Sequence, residues 1–176
     1  MNILITILLV IAGIIALLLI IALFAKKEWN IHREIIINAP LQKVFDYVKH
    51  LKNWDNFSTG AMVDSDRKRE FRGTDGTVGF IYAWSGNKKA GEGEKEIKSI
   101  SEGKSIEIEI RFIKPFTATG YSSLVTESVS GNQTKVTLGN ASKIKYPFNI
   151  MVSMIEKRMP KDLDTSLSTL KNILEK

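Results

Sequence analysis

The sequence contains no cysteine and only two histidines, His32 and His50. The absence of cysteine excludes disulfides, zinc ribbons and thiol nucleophiles. A zinc or iron site needs three or four converging ligands, and two histidines at the ends of a predicted strand and helix do not supply them. The sequence therefore predicts no metal site.

Motifs for nucleotide binding and for nucleophilic catalysis are also absent. Gly73, Gly76 and Gly79 match neither the dinucleotide fingerprint nor a Walker sequence, and no nucleophile elbow occurs. Glutamates alternate along two predicted strands with basic residues close by, which is typical of a solvated sheet face and not of a catalytic pair. We predict no cofactor and no catalytic residue, so the sequence favours a protein that is not an enzyme.

Charge is absent from Ile3 to Ala25, although 25% of all residues are charged. About 20 apolar residues suffice for a helix to cross a bilayer. A cleaved secretory signal has basic residues before its apolar run, and this run is preceded by none. We predict an uncleaved single-pass transmembrane helix, with residues 1–27 as anchor and basic flank and residues 28–176 as the globular domain.

Basic residues at the end of the apolar run indicate the orientation of the chain. Lys26, Lys27 and Arg33 all follow the run, and basic flanks tend to remain in the cytoplasm, so we predict a cytoplasmic domain. The net charge of +6 comes from scattered residues and not from a basic stripe. It therefore does not indicate nucleic-acid binding. The expected partner is the membrane, through Ile3–Ala25.

Beyond the anchor, the pattern predicts one strand, two short helices, a series of strands and a long final helix. Residues 33–38 are rich in β-branched side chains, and apolar residues recur at helical spacing from Val44 to Leu51. Residues 106–112 alternate strictly between apolar and charged side chains, as in a sheet that is wet on one face. Strands in series that are closed by helices predict an α+β fold.

The last thirty residues predict the long helix, because apolar side chains recur every three or four positions from Phe148 to Leu174. Ile150 and Met154 fall outside this apolar face. The first turns therefore need a second apolar partner, whether a ligand, the short helices or the bilayer. Pro160 predicts either a kink or the meeting of two helices, because proline cannot donate the helical hydrogen bond.

Several segments, in this order, resemble bacterial members of the START-like superfamily, which includes polyketide cyclase/dehydrase, lipid-transport and pollen-allergen families. The segments are Ile35–Pro40, Val44–Val48, Trp54, residues 76–79, 84–87 and 91–93, Phe112–Phe116, and the long final helix. The resemblance covers Ile31–Lys176. It implies a helix-grip fold, in which about seven antiparallel strands curve around the C-terminal helix and leave an apolar cavity.

The resemblance also implies binding of a hydrophobic small molecule or lipid, without covalent chemistry. Two alternatives stay open. One is an enzyme of the polyketide cyclase or dehydratase type, in which Tyr82, Tyr121 or Arg111 polarises a carbonyl. The other is an interaction or stress-related module with a collapsed cavity. Large apolar side chains are the candidates for the cavity lining. They are Phe57, Trp84, Phe112, Phe116, Tyr121, Ile150, Met151 and Met154.

Overall fold

A computed structural model describes residues 2–176 as an N-terminal helix, one seven-stranded sheet and a long C-terminal helix. The helices are α1 (Ile3–Phe24), α2 (Leu41–Val48), α3 (Thr59–Met62) and α4 (Val152–Leu174), with 3-10 helices at Leu51–Asn56 and Phe148–Met151. The strands are β1 (Glu28–Ile37), β2 (Lys68–Arg72), β3 (Ile81–Ser85), β4 (Glu92–Ser101), β5 (Ser105–Lys114), β6 (Ala118–Ser130) and β7 (Gln133–Lys143).

The strands lie in the order β1-β7-β6-β5-β4-β3-β2, and all neighbouring strands are antiparallel. Successive side chains of a strand point to opposite faces. On β5, Ile106 and Ile108 are therefore buried in the interior, while Glu107 between them is exposed. The predicted α+β fold is confirmed.

α4 lies on the concave side of the sheet, closest to β1. Leu163, Leu167, Leu170 and Leu174 are buried, because their three- and four-residue spacing places them on the face that meets the sheet. Pro160 lies inside the helix, which runs without interruption from Val152 to Leu174. Pro160 therefore does not divide it into two helices.

The short helices close one end of the interior. Val44, Phe45 and Val48 of α2 are fully buried there, next to the end of β1. We refer to this side as the closed end. It is also where the main cluster of buried aliphatic side chains lies, so this part of the interior is an ordinary packed core.

β2 and α3 were not predicted from the sequence. All five residues of β2 are exposed, and they show no alternation between apolar and polar side chains. The strand forms because its backbone pairs with β3 at the edge of the sheet, with Lys68 opposite Ser85. The Phe71 ring also packs against Tyr82, with a centroid distance of 5.3 Å, but a strand whose residues are all exposed leaves no periodic pattern.

α1 contains no charged residue, and Ala22 is its only buried residue. Among residues 2–176, α1 is the one helix that is long and apolar enough to cross a membrane. An anchor and a signal sequence both meet that criterion, so length and composition do not separate them.

Candidate functional site

The interior between the sheet and α4 is closed at the α2 side and accessible at the α1 side. β5 shows the gradient along its length: Ile106 and Ile108 are at most 1% exposed, Ile110 is half-buried, and Phe112 is 40% exposed. All four side chains face the same way, because they occupy alternate positions of one strand. The increase in exposure along β5 therefore means that fewer neighbouring atoms cover these side chains, and not that they turn to the other face of the sheet.

α4 and β1 show the same gradient. Leu167 of α4 is almost fully buried, whereas Met159 and Ile155, nearer its start, are half-buried. On β1, Ile37 is fully buried and Ile31 is half-buried. Three elements thus leave apolar side chains accessible on the same side. We refer to this region as the open end, defined by Ile31, Trp84, Lys95, Ile110, Phe112 and Ile155.

A row of paired residues crosses the sheet at the inner limit of the open end. Lys95 on β4 pairs with Tyr82 on β3 and with Ile110 on β5, which in turn pairs with Gly120 on β6. All four face the interior, because Lys95 shares the face of the fully buried Ile97. The sheet therefore presents a lysine to the interior at this row.

One row nearer to α1, aromatic side chains flank the open end. The rings of Trp84 and Phe112 meet edge to face, with their centroids 6.0 Å apart. Between their strands lies Gly93, where an added Cβ would come within 2.6 Å of the Trp84 ring. Glycine at this position therefore lets the Trp84 indole approach the backbone of β4 closely.

Lys95 carries its charge without an ionic partner. Its Nζ atom lies 5.6 Å from the Trp54 ring centroid and 5.9 Å from the Tyr82 ring centroid. No hydrogen bond links this ammonium to any other residue of the described chain, 2–176. Burial, and then repulsion from Arg67, lower the pKa of Lys95 to about 8.

Asp55 is close to Lys95 but is already occupied. Its carboxylate accepts hydrogen bonds from the Tyr82 hydroxyl at 2.7 Å and from Arg67 at 2.5 Å, and Arg69 Nε lies 2.8 Å away. Burial, and then the bond to Asp55, raise the pKa of Tyr82. These contacts fix the first 3-10 helix to β3, and they leave the Tyr82 hydroxyl engaged and not free to polarise a carbonyl.

The predicted lining residues fall into separate groups. Trp84 and Phe112 lie at the open end, and Met151 is half-buried just before α4. Phe57 is fully buried against Trp54, with a centroid distance of 5.4 Å, and belongs to the packed core. Only part of the predicted set therefore lies at the open end, where Trp84 is buried and Phe112 is exposed.

The remaining predicted residues lie at the rim or outside. Phe116 and Met154 are exposed beside the α1 end of the domain, and Ile150 is half-buried in the second 3-10 helix. Tyr121 is 53% exposed on the outer face of the sheet, because its neighbours Gly120 and Ser122 are the ones that face inward.

The outer face of the sheet is charged. Arg111 pairs with Glu94 at 2.8 Å and with Glu96 at 2.7 Å, so these residues form a solvated ionic network, as the sequence predicted. A depression of about 440 Å³, lined in part by Glu107 and Tyr121, lies on this face and is separate from the open end. Residues 2–176 contain no group of three or more His, Asp or Glu side chains placed to hold a metal ion.

Sequence reasoning missed Lys95. A lysine between Glu94 and Glu96 is typical of a solvated strand, and the glutamates do face solvent. The signal in the sequence was the alternation of side chains along a strand. Lys95 lies two positions from Ile97 and therefore on the same, apolar face.

The strand order, the curved antiparallel sheet and the long C-terminal helix define a helix-grip fold, as predicted. A solved structure of norcoclaurine synthase from Thalictrum flavum, in complex with dopamine and hydroxybenzaldehyde, is similar, with a TM-score of 0.64 and 12% identity over 88% of this chain and 90% of that chain. The Aha1 dimer from Colwellia psychrerythraea has a TM-score of 0.57 and 19% identity over 84% and 96%.

A structure of a protein from Nitrosospira multiformis has a TM-score of 0.60 and 16% identity, over 83% of this chain and 96% of that chain. At such identities these likenesses show the fold alone. No protein-family model and no curated protein matches the sequence.

Proposed function

We propose that α1 tethers this protein to a membrane and that the domain binds a hydrophobic small molecule or lipid between the sheet and α4, without covalent chemistry. The open end carries the proposal: Ile110, Phe112 and Ile155 keep apolar surface accessible inside a domain whose other end is packed. Covering such surface with a ligand contributes about 25 cal/mol per Å². Accessible apolar surface between the sheet and α4 therefore favours an apolar ligand.

The contacts of Asn149 favour a retained anchor over a cleaved signal. Its side-chain amide donates to the carbonyl oxygens of Ala22 at 2.7 Å and Ala25 at 3.0 Å, and Asn149 is fully buried. Lys26 Nζ also pairs with Glu156 at 2.9 Å. Removal of α1 would break both of these hydrogen bonds and the ion pair. These contacts support the retention of α1.

Exposed apolar side chains at the same side of the domain support a position against the bilayer. Phe148, Met154 and Phe116 are 67%, 60% and 56% exposed. They lie at the edge of the domain where β1 begins and Glu28 pairs with Lys143. This edge is where α1 would leave a membrane, so these side chains would meet its interface. The open end then has a short path to the apolar phase.

One protein of similar fold has been solved with small molecules bound. Norcoclaurine synthase, similar in fold, was solved in complex with dopamine and hydroxybenzaldehyde, which are small aromatic molecules. For the present chain we favour binding over catalysis, because Arg111 and Tyr121 lie on the outer face and Tyr82 is bonded to Asp55.

Native mass spectrometry of the full-length protein released from lipid nanodiscs tests the proposal. We expect a bound apolar molecule on the wild-type protein. Gly120→Val adds a branched side chain to the interior face, where a Cβ meets nothing closer than 3.8 Å, so the variant should fold. Filling the site should lower the occupied fraction roughly tenfold, the effect of about 1.4 kcal/mol.

Gly131→Val is the matched control, because an added Cβ in the β6–β7 turn meets nothing within 4 Å. It should leave the occupied fraction unchanged. Wild-type protein that is empty in every preparation, or Gly120→Val protein that is loaded as fully as the wild type, would contradict the proposal.

A further inference from the structure

The interior-facing charges of this domain are neutralised by carboxylates, with Lys95 as the exception. Arg67 pairs with Asp55 at 2.5 Å, and Arg33, on the inward side of β1, pairs with Asp164 at 3.5 Å. Within residues 2–176, no carboxylate lies within ion-pair distance of Lys95 Nζ. The sheet thus holds one cation at the inner limit of the open end without an anion.

The surroundings of Lys95 make this arrangement unfavourable unless something else supplies the anion. Its side chain is half-buried with the ammonium over the Trp54 and Tyr82 rings, and this partial burial is the main reason that its pKa falls to about 8. Aromatic faces compensate only part of the lost hydration. A hydrogen-bonded anion at Nζ would compensate more, because charge-assisted bonds are the stronger ones.

The residues around Lys95 then indicate how the polar and apolar parts of the ligand are arranged. Ile110 lies beside Lys95, and Phe112 and Trp84 lie one row nearer to the accessible side. An anionic group on Lys95 would therefore place the remainder of the same molecule along apolar side chains, toward the rim that adjoins α1. A molecule with one anionic end and an apolar body matches this order.

The aromatic donors that surround Lys95 are already engaged. The Trp54 indole donates to the Val48 carbonyl at 2.7 Å, and the Tyr82 hydroxyl donates to Asp55. A single ammonium matches one carboxylate, whereas a phosphate monoester carries more charge than one ammonium neutralises.

We propose that the ligand of the open end is an amphipathic carboxylate whose acid group binds Lys95 and whose apolar body lies against Ile110, Phe112 and Trp84. This inference rests on the proposed function and names the class of ligand. It also identifies Lys95 as the residue that distinguishes an acid from a neutral molecule of equal length.

Competition between laurate and dodecan-1-ol tests the inference. Full-length protein is placed in nanodiscs that contain both at equal mole fraction, and native mass spectrometry gives the ratio of bound acid to bound alcohol. We expect wild-type protein to favour laurate by roughly tenfold or more, the effect of one charge-assisted hydrogen bond. Lys95→Met should abolish the preference and still bind the alcohol, and Lys95→Arg should restore it.

Lys98→Met is the matched control, because Lys98 lies on the same strand but is exposed and pairs with Glu96 at 3.0 Å. It should retain the wild-type ratio. Equal binding of acid and alcohol by the wild type would overturn the inference and leave the proposed function intact. A preference that persists in Lys95→Met would also overturn it. Failure of the wild type to bind either molecule would overturn the proposed function as well.

Discussion

Asp75 stabilises a helix that begins far from it in the sequence. Its carboxylate accepts backbone hydrogen bonds from Leu51 at 2.8 Å and Lys52 at 3.2 Å, at the start of the first 3-10 helix. We expect Asp75→Ala to lower the free energy of unfolding by about 1–2 kcal/mol, because the helix loses its cap. Urea denaturation of the full-length protein measures the change. Asp66→Ala, at an exposed position, is the control and should change stability by less than about 0.5 kcal/mol.

The lowered pKa of Lys95 predicts that its charge destabilises the fold at neutral pH. Its pKa is lowered from 10.5 to about 8 in the folded state, so folding opposes protonation. Below pH 8 the cost is fully present, and it disappears as the pH rises from 8 through 10.5, where the unfolded chain also loses the proton. We expect Lys95→Met to raise stability by about 1–3 kcal/mol at pH 7.

This gain in stability should shrink as the pH approaches 10.5. Thermal unfolding of the variant and the wild type, at neutral pH and near that alkaline pH, measures the change. Lys98→Met, on the solvated face of the same strand, should show no such gain. An equal stabilisation by Lys95→Met at neutral and alkaline pH would show that its charge is not the cause.

At the scale of elements, β4 and β5 are joined on their outer face by ion pairs. A hydrogen bond from Arg111 lowers the pKa of Glu94, and bonds from Lys98 and then Arg111 lower the pKa of Glu96. Carboxylates with lowered pKa values stabilise the fold above their unfolded pKa of 4.5, and this contribution is lost as the pH falls through the folded values.

We therefore expect the melting temperature to fall as the pH drops below 4.5, and we expect Arg111→Met to reduce the size of that fall. Circular dichroism melts at pH 6 and at acid pH measure both. Arg158→Met is the control, because Arg158 is highly exposed and pairs with Asp162 on the same helix. An unchanged acid-induced fall in Arg111→Met would contradict this account of the β4–β5 pair.

The junction between α1 and the second 3-10 helix depends on Asn149. Asn149→Ala removes both bonds to the end of α1, so we expect the amides of Phe148–Met151 to exchange with deuterium roughly tenfold faster. Hydrogen–deuterium exchange of the full-length protein measures this rate. Asn172→Ala, at an exposed position on α4, should leave it unchanged. Protection that survives Asn149→Ala would show that other contacts hold α1.

For the whole molecule, the absence of native cysteine allows a direct test of orientation. Asn132→Cys places one thiol in the exposed β6–β7 turn, and Asn2→Cys places one before α1. With a cytoplasmic domain, a membrane-impermeant maleimide should label intact cells only at position 2 and should label position 132 after lysis. Labelling at position 132 in intact cells would reverse the proposed orientation.

Most of the fold could be predicted because local patterns specify it. The alternation along residues 106–112 reports one buried sheet face, and the spacing of Leu163, Leu167 and Leu170 reports one buried helix face. β2 could not be predicted in this way, because its exposed residues 68–72 show no alternation and the strand is defined by its pairing with β3.

The site was harder to predict, because its lining depends on which face of the sheet each strand residue points to and not on residue type. In β6 the interior face takes Gly120 and Ser122, while the aromatic Tyr121 faces solvent. In β4 the interior face takes Lys95, although its glutamate neighbours are on the wet face. A shift of one residue reverses every side chain of a strand, so composition alone selects the wrong residues.

The strand order also has a consequence for how the chain is made. β1 is the first strand to be synthesised, but it pairs with β7, and the next strand in the chain, β2, lies at the opposite edge of the sheet. β1 therefore remains without a hydrogen-bonding partner until residues 133–143 have left the ribosome, and α4, which covers it, emerges later still. A chain that terminates before β7 would carry an uncovered, β-branched strand, which is the kind of edge that aggregates. The sheet is thus completed only after β7 has been synthesised.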